Sequence, residues 1–233
     1  MTEFNFSVHN ASDLEMQNET FLLYGPPGMG KTSTVKYLTG KTLVIDVDRT
    51  SHVLKGLSNI DIMYADNKDT WNWWTEFCKH AETNLKGKYE NIVIDNVSEL
   101  ERCMLSSLGA KGKNNGVPSQ GDYQFMQFRV VNSFRWFKSI AKRTVFLAWE
   151  MNDLFTTSEG QQFNRALPQI NLKILNNVLG LCHVVGRLMV NADGERGFVL
   201  KATNSIYAKN QLDGRAGCKQ SEIFSGDADV PTS

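Results

Sequence analysis

The stretch Gly25-Pro26-Pro27-Gly28-Met29-Gly30-Lys31-Thr32 constrains the fold of this chain more than any other. The apolar run Phe21-Leu22-Leu23-Tyr24 precedes it, and Ser33-Thr34-Val35-Lys36-Tyr37-Leu38 follows with a helix-like pattern. This is the order of a phosphate-binding loop set between a strand and a helix. Backbone N–H groups can curl round phosphate oxygens only where side chains leave room, and Gly25, Gly28 and Gly30 leave it. The helix that opens at Ser33 offers free N–H groups and a favourable dipole to an anion. Lys31 is spaced to reach the β- and γ-phosphates, and Thr32 offers a hydroxyl to Mg²⁺. Residues 25–33 are therefore expected to hold a nucleotide. Hydrolysis is a separate matter, because it needs carboxylates from elsewhere in the chain.

At 233 residues, one α/β core with elaborated loops is expected. Hydrophobic residues at 41% and charged residues at 21% suit a soluble globule, and no apolar run approaches a membrane span. Met1-Thr2-Glu3-Phe4 leads into polar sequence rather than a secretory leader, which points to the cytoplasm. Cys78, Cys103, Cys182 and Cys218 lack metal-binding spacing and are expected as buried free thiols. With 25 basic and 25 acidic residues the chain has no global field to pull it onto nucleic acid, so any such contact must be local or built by several copies together.

Downstream, Thr42-Leu43-Val44-Ile45 reads as a strand that stops at Asp46-Val47-Asp48, and residues 60–64 as another. A helix with Trp71, Trp74, Cys78, Ala81 and Leu85 on its inner face follows an Asp69 cap. Asn91-Ile92-Val93-Ile94-Asp95 is apolar throughout and ends in a carboxylate, the pattern of a central parallel strand. Asn96 can cap the next helix, with Glu99 reaching back. Residues 109–121 hold four glycines and a proline and read as a mobile loop, before a long amphipathic helix through Tyr123, Met126, Val130, Phe134 and Phe137. Thr144-Val145-Phe146-Leu147-Ala148 is a further buried strand. The polar stretch 151–171 reads as a second long loop, and residues 181–190 and 197–201 as a hairpin joined by Asn191-Ala192-Asp193-Gly194, followed by a strand-like 206–209. At the N-terminus Phe4, Phe6 and Val8 alternate with polar residues, either as a sheet-edge strand or as one lent to a neighbouring subunit. Residues 1–20 are thus an arm, 21–224 the core and 225–233 a disordered tail.

This order of motifs resembles the core ATPase domain of RecA-like recombinases. Tyr24 to Thr32, Val44-Ile45-Asp46-Val47-Asp48 and Tyr207-Ala208-Lys209-Asn210 are similar, more narrowly, to small phage ATPases grouped with RecA-like single-strand annealing proteins. The resemblance implies a mostly parallel sheet with helices on both faces and a C-terminal antiparallel hairpin, with ATP and Mg²⁺ as cofactors and the host cytoplasm as compartment. It gives Lys31 to the phosphates, Thr32 and Asp95 to the metal, and Asp48 to the attacking water, with Asp46 either an alternative or a turn cap. Glu150 stands where relatives carry a γ-phosphate sensor. Lys209 matches a lysine that reaches a neighbour's nucleotide, which implies a homo-oligomer. Loops 109–122 and 150–171 would contact single-stranded DNA through Lys111, Lys113, Phe155, Phe163 and Arg165. The main expectation is an ATPase acting on single-stranded DNA in recombination or annealing, with a single-strand binding protein as a further partner. The alternatives are a nucleotide-gated assembly factor of the helicase-loader type, partnered by a replication helicase, and a small-molecule phosphotransferase.

Overall fold

The computed structural model of the chain describes residues 10–13 and 18–225, so the alternating run at Phe4, Phe6 and Val8 and the tail beyond Ser225 lie outside the described residues. Apolar runs with no polar alternation bury both faces of a strand, and they form the centre of a ten-stranded sheet among these residues. The strands are β1 (Glu19–Gly25), β2 (Thr42–Asp46), β3 (Ile60–Tyr64), β4 (Asn91–Asp95), β5 (Arg143–Thr156), β6 (Gln162–Pro168), β7 (Val184–Val190), β8 (Arg196–Val199), β9 (Lys209–Asn210) and β10 (Gly217–Lys219). Their order is β10-β8-β7-β1-β5-β4-β2-β3, with β6 paired to β5 and β9 to β7. From β7 to β3 the pairings are parallel, whereas β8, β9, β10 and β6 pair antiparallel. β5 separates the P-loop strand from the Asp95 strand, so acidic residue and loop face each other across one intervening strand.

The helices are α1 (Thr70–Leu85), α2 (Val97–Lys111), α3 (Gln120–Phe137) and α4 (Leu172–Leu181). Asp69 caps α1 by accepting the Asn72 N–H, and Asn96 caps α2 by accepting that of Glu99 at 2.8 Å. Alternate strand residues feed two cores. Leu22, Ile94 and Phe146 pack with Trp74, Met104, Phe134 and Val178 from the four helices. Leu23, Val93 and Leu147 pack on the other face with Val35, Leu54, Phe198 and Phe224. Both faces are covered, but by different material: the four α-helices share the first, and short 3-10 turns with the C-terminal segment cover the second. The segment after the P-loop, Thr32–Tyr37, is itself a 3-10 helix, with Leu38 already extended.

Further differences from the sequence reading have physical causes. The stretch 151–171 is not a loop: β5 continues to Thr156 and returns as β6 through a turn with Gly160 at φ +82°. The outer part of this hairpin is solvated on both sides, so its sequence lacks the apolar alternation that marks a half-buried strand. Helix α4 has no counterpart in the sequence reading, although Ile174, Leu175, Val178 and Leu179 bury one face at helical spacing. Residues 206–209 are mostly unpaired, with an Ile206 bridge to Ala166 and only Lys209–Asn210 in a strand. The glycine-rich loop is shorter than expected, because α2 runs to Lys111 and a Ser119–Asp122 capping box starts α3 at Gln120. All four cysteines are free, but only Cys182 is buried and the other three are half-buried; burial pushes the Cys182 thiol up to about 12. No helix among the described residues is long and apolar enough to cross a membrane.

Candidate phosphate-binding site

Residues for the site converge at the C-terminal edge of the parallel strands, where open α/β sheets bind their ligands. β1 ends at Gly25 and opens into the loop, in which Gly28 and Gly30 adopt φ of +79° and +94°, a backbone that side chains strain to follow. Lys31 is 7% exposed, and its Nζ donates to the Gly25 and Pro26 carbonyls at 2.9 Å each. The ammonium is thus folded back into its own loop. Burial pulls its pKa down, opposed by the nearby Asp95, Asp48 and Glu150. The Gln220 amide donates to the Gly30 carbonyl and to Thr34 Oγ1, both at 2.9 Å, and Arg196 Nε donates to the Met29 carbonyl at 2.9 Å.

Thr32 Oγ1 donates to Asp95 Oδ2 at 2.6 Å, which joins the loop to β4. Asp95 is buried, and burial pushes its carboxyl up to about 7; Asp48 and Asp46 push the same way, whereas the Thr32 hydrogen bond and Lys31 oppose. Three carboxylates against one ammonium is a strongly acidic balance, and bound positive charge would relieve it. Among the described residues no group of three or more His, Cys, Asp or Glu is arranged to hold a metal. A hydroxyl and a carboxylate are nonetheless a suitable set for Mg²⁺, which takes one or two protein oxygens and completes its shell with phosphate and water.

Asp48 accepts the Thr50 hydroxyl at 2.8 Å and the Asn96 amide at its other oxygen, and burial raises its pKa. Asp46 serves the backbone instead, accepting the N–H groups of Thr50 and Ser51 at 3.2 and 3.0 Å and so capping the turn Ser51–Leu54. Glu150, at the mouth of the hairpin, is gripped at both oxygens by Arg187 on β7, at 2.8 Å each. This ion pair crosses over β1 and engages the carboxylate that the sequence offered as a sensor. The neighbouring Trp149 ring lies under the Arg102 guanidinium, 4.9 Å from centroid to Cζ.

The remaining predicted residues lie apart from this cluster. Lys209 sits level with Val185 and Leu22, three residues short of Gly25 or about 10 Å along the strands. Its Nζ donates to the Leu179 carbonyl at 2.9 Å. Lys111 is paired with Asp69 at 2.6 Å, while Lys113 is exposed. Phe155 and Phe163 face each other across the β5–β6 hairpin, and Arg165 lies over the Phe155 and Tyr207 rings at 4.2 and 5.5 Å. Sequence reasoning missed Asn96 as a partner of Asp48, and Arg187, Arg196 and Gln220 altogether. Asn96 follows Asp95 directly and could have been found; single arginines on a hairpin and a glutamine 190 residues from Gly30 leave no pattern.

A family model described as an AAA domain matches residues 17–212. No curated protein matches the chain.

Proposed function

Since the chain belongs to the AAA domain family, with an ATPase-like P-loop domain across most of its length, we propose that it is a Mg²⁺-dependent ATPase that acts on single-stranded DNA. The Thr32–Asp95 contact at 2.6 Å is the observation that carries the hydrolytic part. It sets the loop's hydroxyl against a carboxylate at the place where metal and phosphate must meet. Thr32 and, through water, Asp95 would hold Mg²⁺, which would supply positive charge against the phosphates. Lys31 exchanges its two carbonyl partners for phosphate oxygens, which have a full charge to offer it. Asp48, held by Thr50 and Asn96, orients the attacking water and accepts its proton. The Glu150–Arg187 pair lies at the base of the hairpin, so a phosphate that drew Arg187 away from Glu150 would be felt at Phe155 and Arg165.

The DNA part rests on the hairpin and its RecA-like counterpart. Phe155 and Phe163 offer faces on which bases stack, at about 1–3 kcal/mol per base. Phosphate turnover by the purified chain, with and without Mg²⁺ and a single-stranded oligonucleotide, tests both parts. Mg²⁺-dependent turnover raised by DNA is expected; turnover indifferent to both would refute the proposal. The helicase-loader reading gains from one observation, the Lys111–Asp69 ion pair, which leaves little free cation for DNA. Turnover that answers to a replication helicase and not to DNA would favour it. A homo-oligomer with nucleotide near subunit interfaces belongs to both readings, with Lys209 as the residue a neighbour would meet.

A further inference from the structure

β7 parts from β1 after Arg187 and runs on to Val190, so the β7–β8 hairpin stands above the sheet edge beside the P-loop. Its turn is held by Asn191, whose Oδ1 accepts the N–H groups of Asp193 and Glu195 at 3.1 and 2.8 Å. β8 therefore begins at a defined height, and its first residue, Arg196, meets the loop. Besides the Nε bond to the Met29 carbonyl, its Nε and Cζ would lie 3.2 and 3.8 Å from a Cβ placed on Gly30. Gly30 precedes Lys31, so the guanidinium lies against the loop backbone one residue before the loop's lysine. Arg196 is exposed, and its two Nη groups have neither a hydrogen-bond partner nor a carboxylate among the described residues; Glu195 turns to Asn191 instead. The loop does not depend on Arg196 for its shape, because Gln220 anchors the Gly30 carbonyl separately.

We propose that Arg196 is a phosphate-binding residue contributed by the same chain, its Nη groups taking oxygens of the nucleotide's phosphate chain while Nε keeps hold of Met29. A planar guanidinium whose two Nη groups are free to donate matches phosphate geometry. This assignment rests on the P-loop reading and adds to it a cation that needs no neighbouring subunit. It makes the hairpin part of the nucleotide site, and ties the height of the Asn191 turn to nucleotide affinity.

The test is titration of a fluorescent ATP analogue with Mg²⁺ against the wild type, Arg196→Gln and Arg196→Lys, at low and high KCl. Gln can still donate to the Met29 carbonyl but carries no charge, so it separates phosphate binding from loop tethering. Arg196→Gln is expected to weaken binding about tenfold, the size of one charged hydrogen bond, and Arg196→Lys less. The gap should shrink at high KCl, where the charge is screened. Binding by Arg196→Gln within twofold of the wild type would overturn the assignment, as would a salt-independent loss shared equally by both variants. On the wild-type chain, Mg²⁺-ATP should protect Arg196 from phenylglyoxal, read by peptide mass spectrometry, and adenosine should not; equal modification in both would also overturn it. A wild type that bound no nucleotide would bring down this assignment and the P-loop reading together. Binding abolished by Lys31→Ala but untouched by Arg196→Gln would bring down this one alone.

Discussion

Asp95 stands in the field of two other carboxylates with one hydroxyl and one ammonium to answer them, and its affinity for a proton near pH 7 follows from burial and that crowding. Bound positive charge should displace the proton, so Asp95→Asn is expected to keep the fold yet lose Mg²⁺-dependent turnover by about a hundredfold or more, on the scale of one electrostatic stabiliser. Phosphate release measured over a Mg²⁺ titration checks this. Glu101 on α2 is also buried, without a function to explain it. One oxygen accepts the Asn171 N–H at 2.9 Å, the other has no hydrogen-bond partner among the described residues, and burial pushes the carboxyl up to about 8. Its folded pKa lies above the unfolded one of 4.5, so the folded chain holds the proton more tightly and the stability is present at low pH. It is lost as pH rises from about 4.5 to 8, by up to about 1.4 kcal/mol per pH unit. Glu101→Gln keeps an acceptor for Asn171 and removes the titration, so urea unfolding should show it more stable than the wild type at pH 8, the two converging near pH 5.

At the scale of elements, β5 is both a core strand and the first arm of a projecting hairpin, and the Glu150–Arg187 pair marks where one becomes the other. The carboxylate side chain is 9% exposed and the guanidinium 21%, so neither is well solvated without the other. Arg187→Ala is expected to cost about 3 kcal/mol in urea unfolding, because it leaves a nearly buried charge unpaired. Glu150→Gln combined with Arg187→Ala should recover part of that loss; a double variant less stable than Arg187→Ala would show that the pair matters through packing instead. Beyond this point the hairpin is bound to the rest of the chain through Ala166, whose N–H donates to the Ser205 carbonyl and whose carbonyl accepts from the Tyr24 hydroxyl and the Tyr207 N–H, and through Arg165, by the Thr203 carbonyl and the Tyr207 ring; these residues lie outside 154–164. Replacing residues 154–164 by a short turn should therefore leave the unfolding free energy within about 1 kcal/mol, the range of surface changes. DNA-stimulated turnover should be lost, and gel shift with turnover assays on the same sample checks both.

At the scale of the whole molecule, nucleotide ties together parts that are far apart in the chain, since β1, β4, the β7–β8 hairpin and Gln220 all meet at the P-loop. Mg²⁺-ATP at about a hundred times its Kd should raise unfolding stability by about 2.7 kcal/mol, read as a concentration-dependent Tm, and Lys31→Ala should abolish the shift. With 25 acidic and 25 basic residues the molecule has no field to lend to DNA binding, which makes the proposed contact weak unless copies act together. What the sequence determined by itself was what one short stretch can carry. The glycine and lysine spacing of the P-loop is local, and strands β2, β3 and β4 are legible within a residue because burial or alternation writes itself into five consecutive side chains. Asp95 was legible because it ends such a strand. The tertiary structure alone decided which charges are spent. Lys111 goes to Asp69, Glu150 to Arg187 and Lys209 to a helix carbonyl, and these partners lie between 30 and 42 residues apart with no periodicity to announce them. It alone decided that α-helices crowd one face, because that depends on how each crossover turns over the sheet. It also decided that Arg196 and Gln220 reach the loop, because a hairpin and a C-terminal turn come to it through space, across 167 and 190 residues of chain.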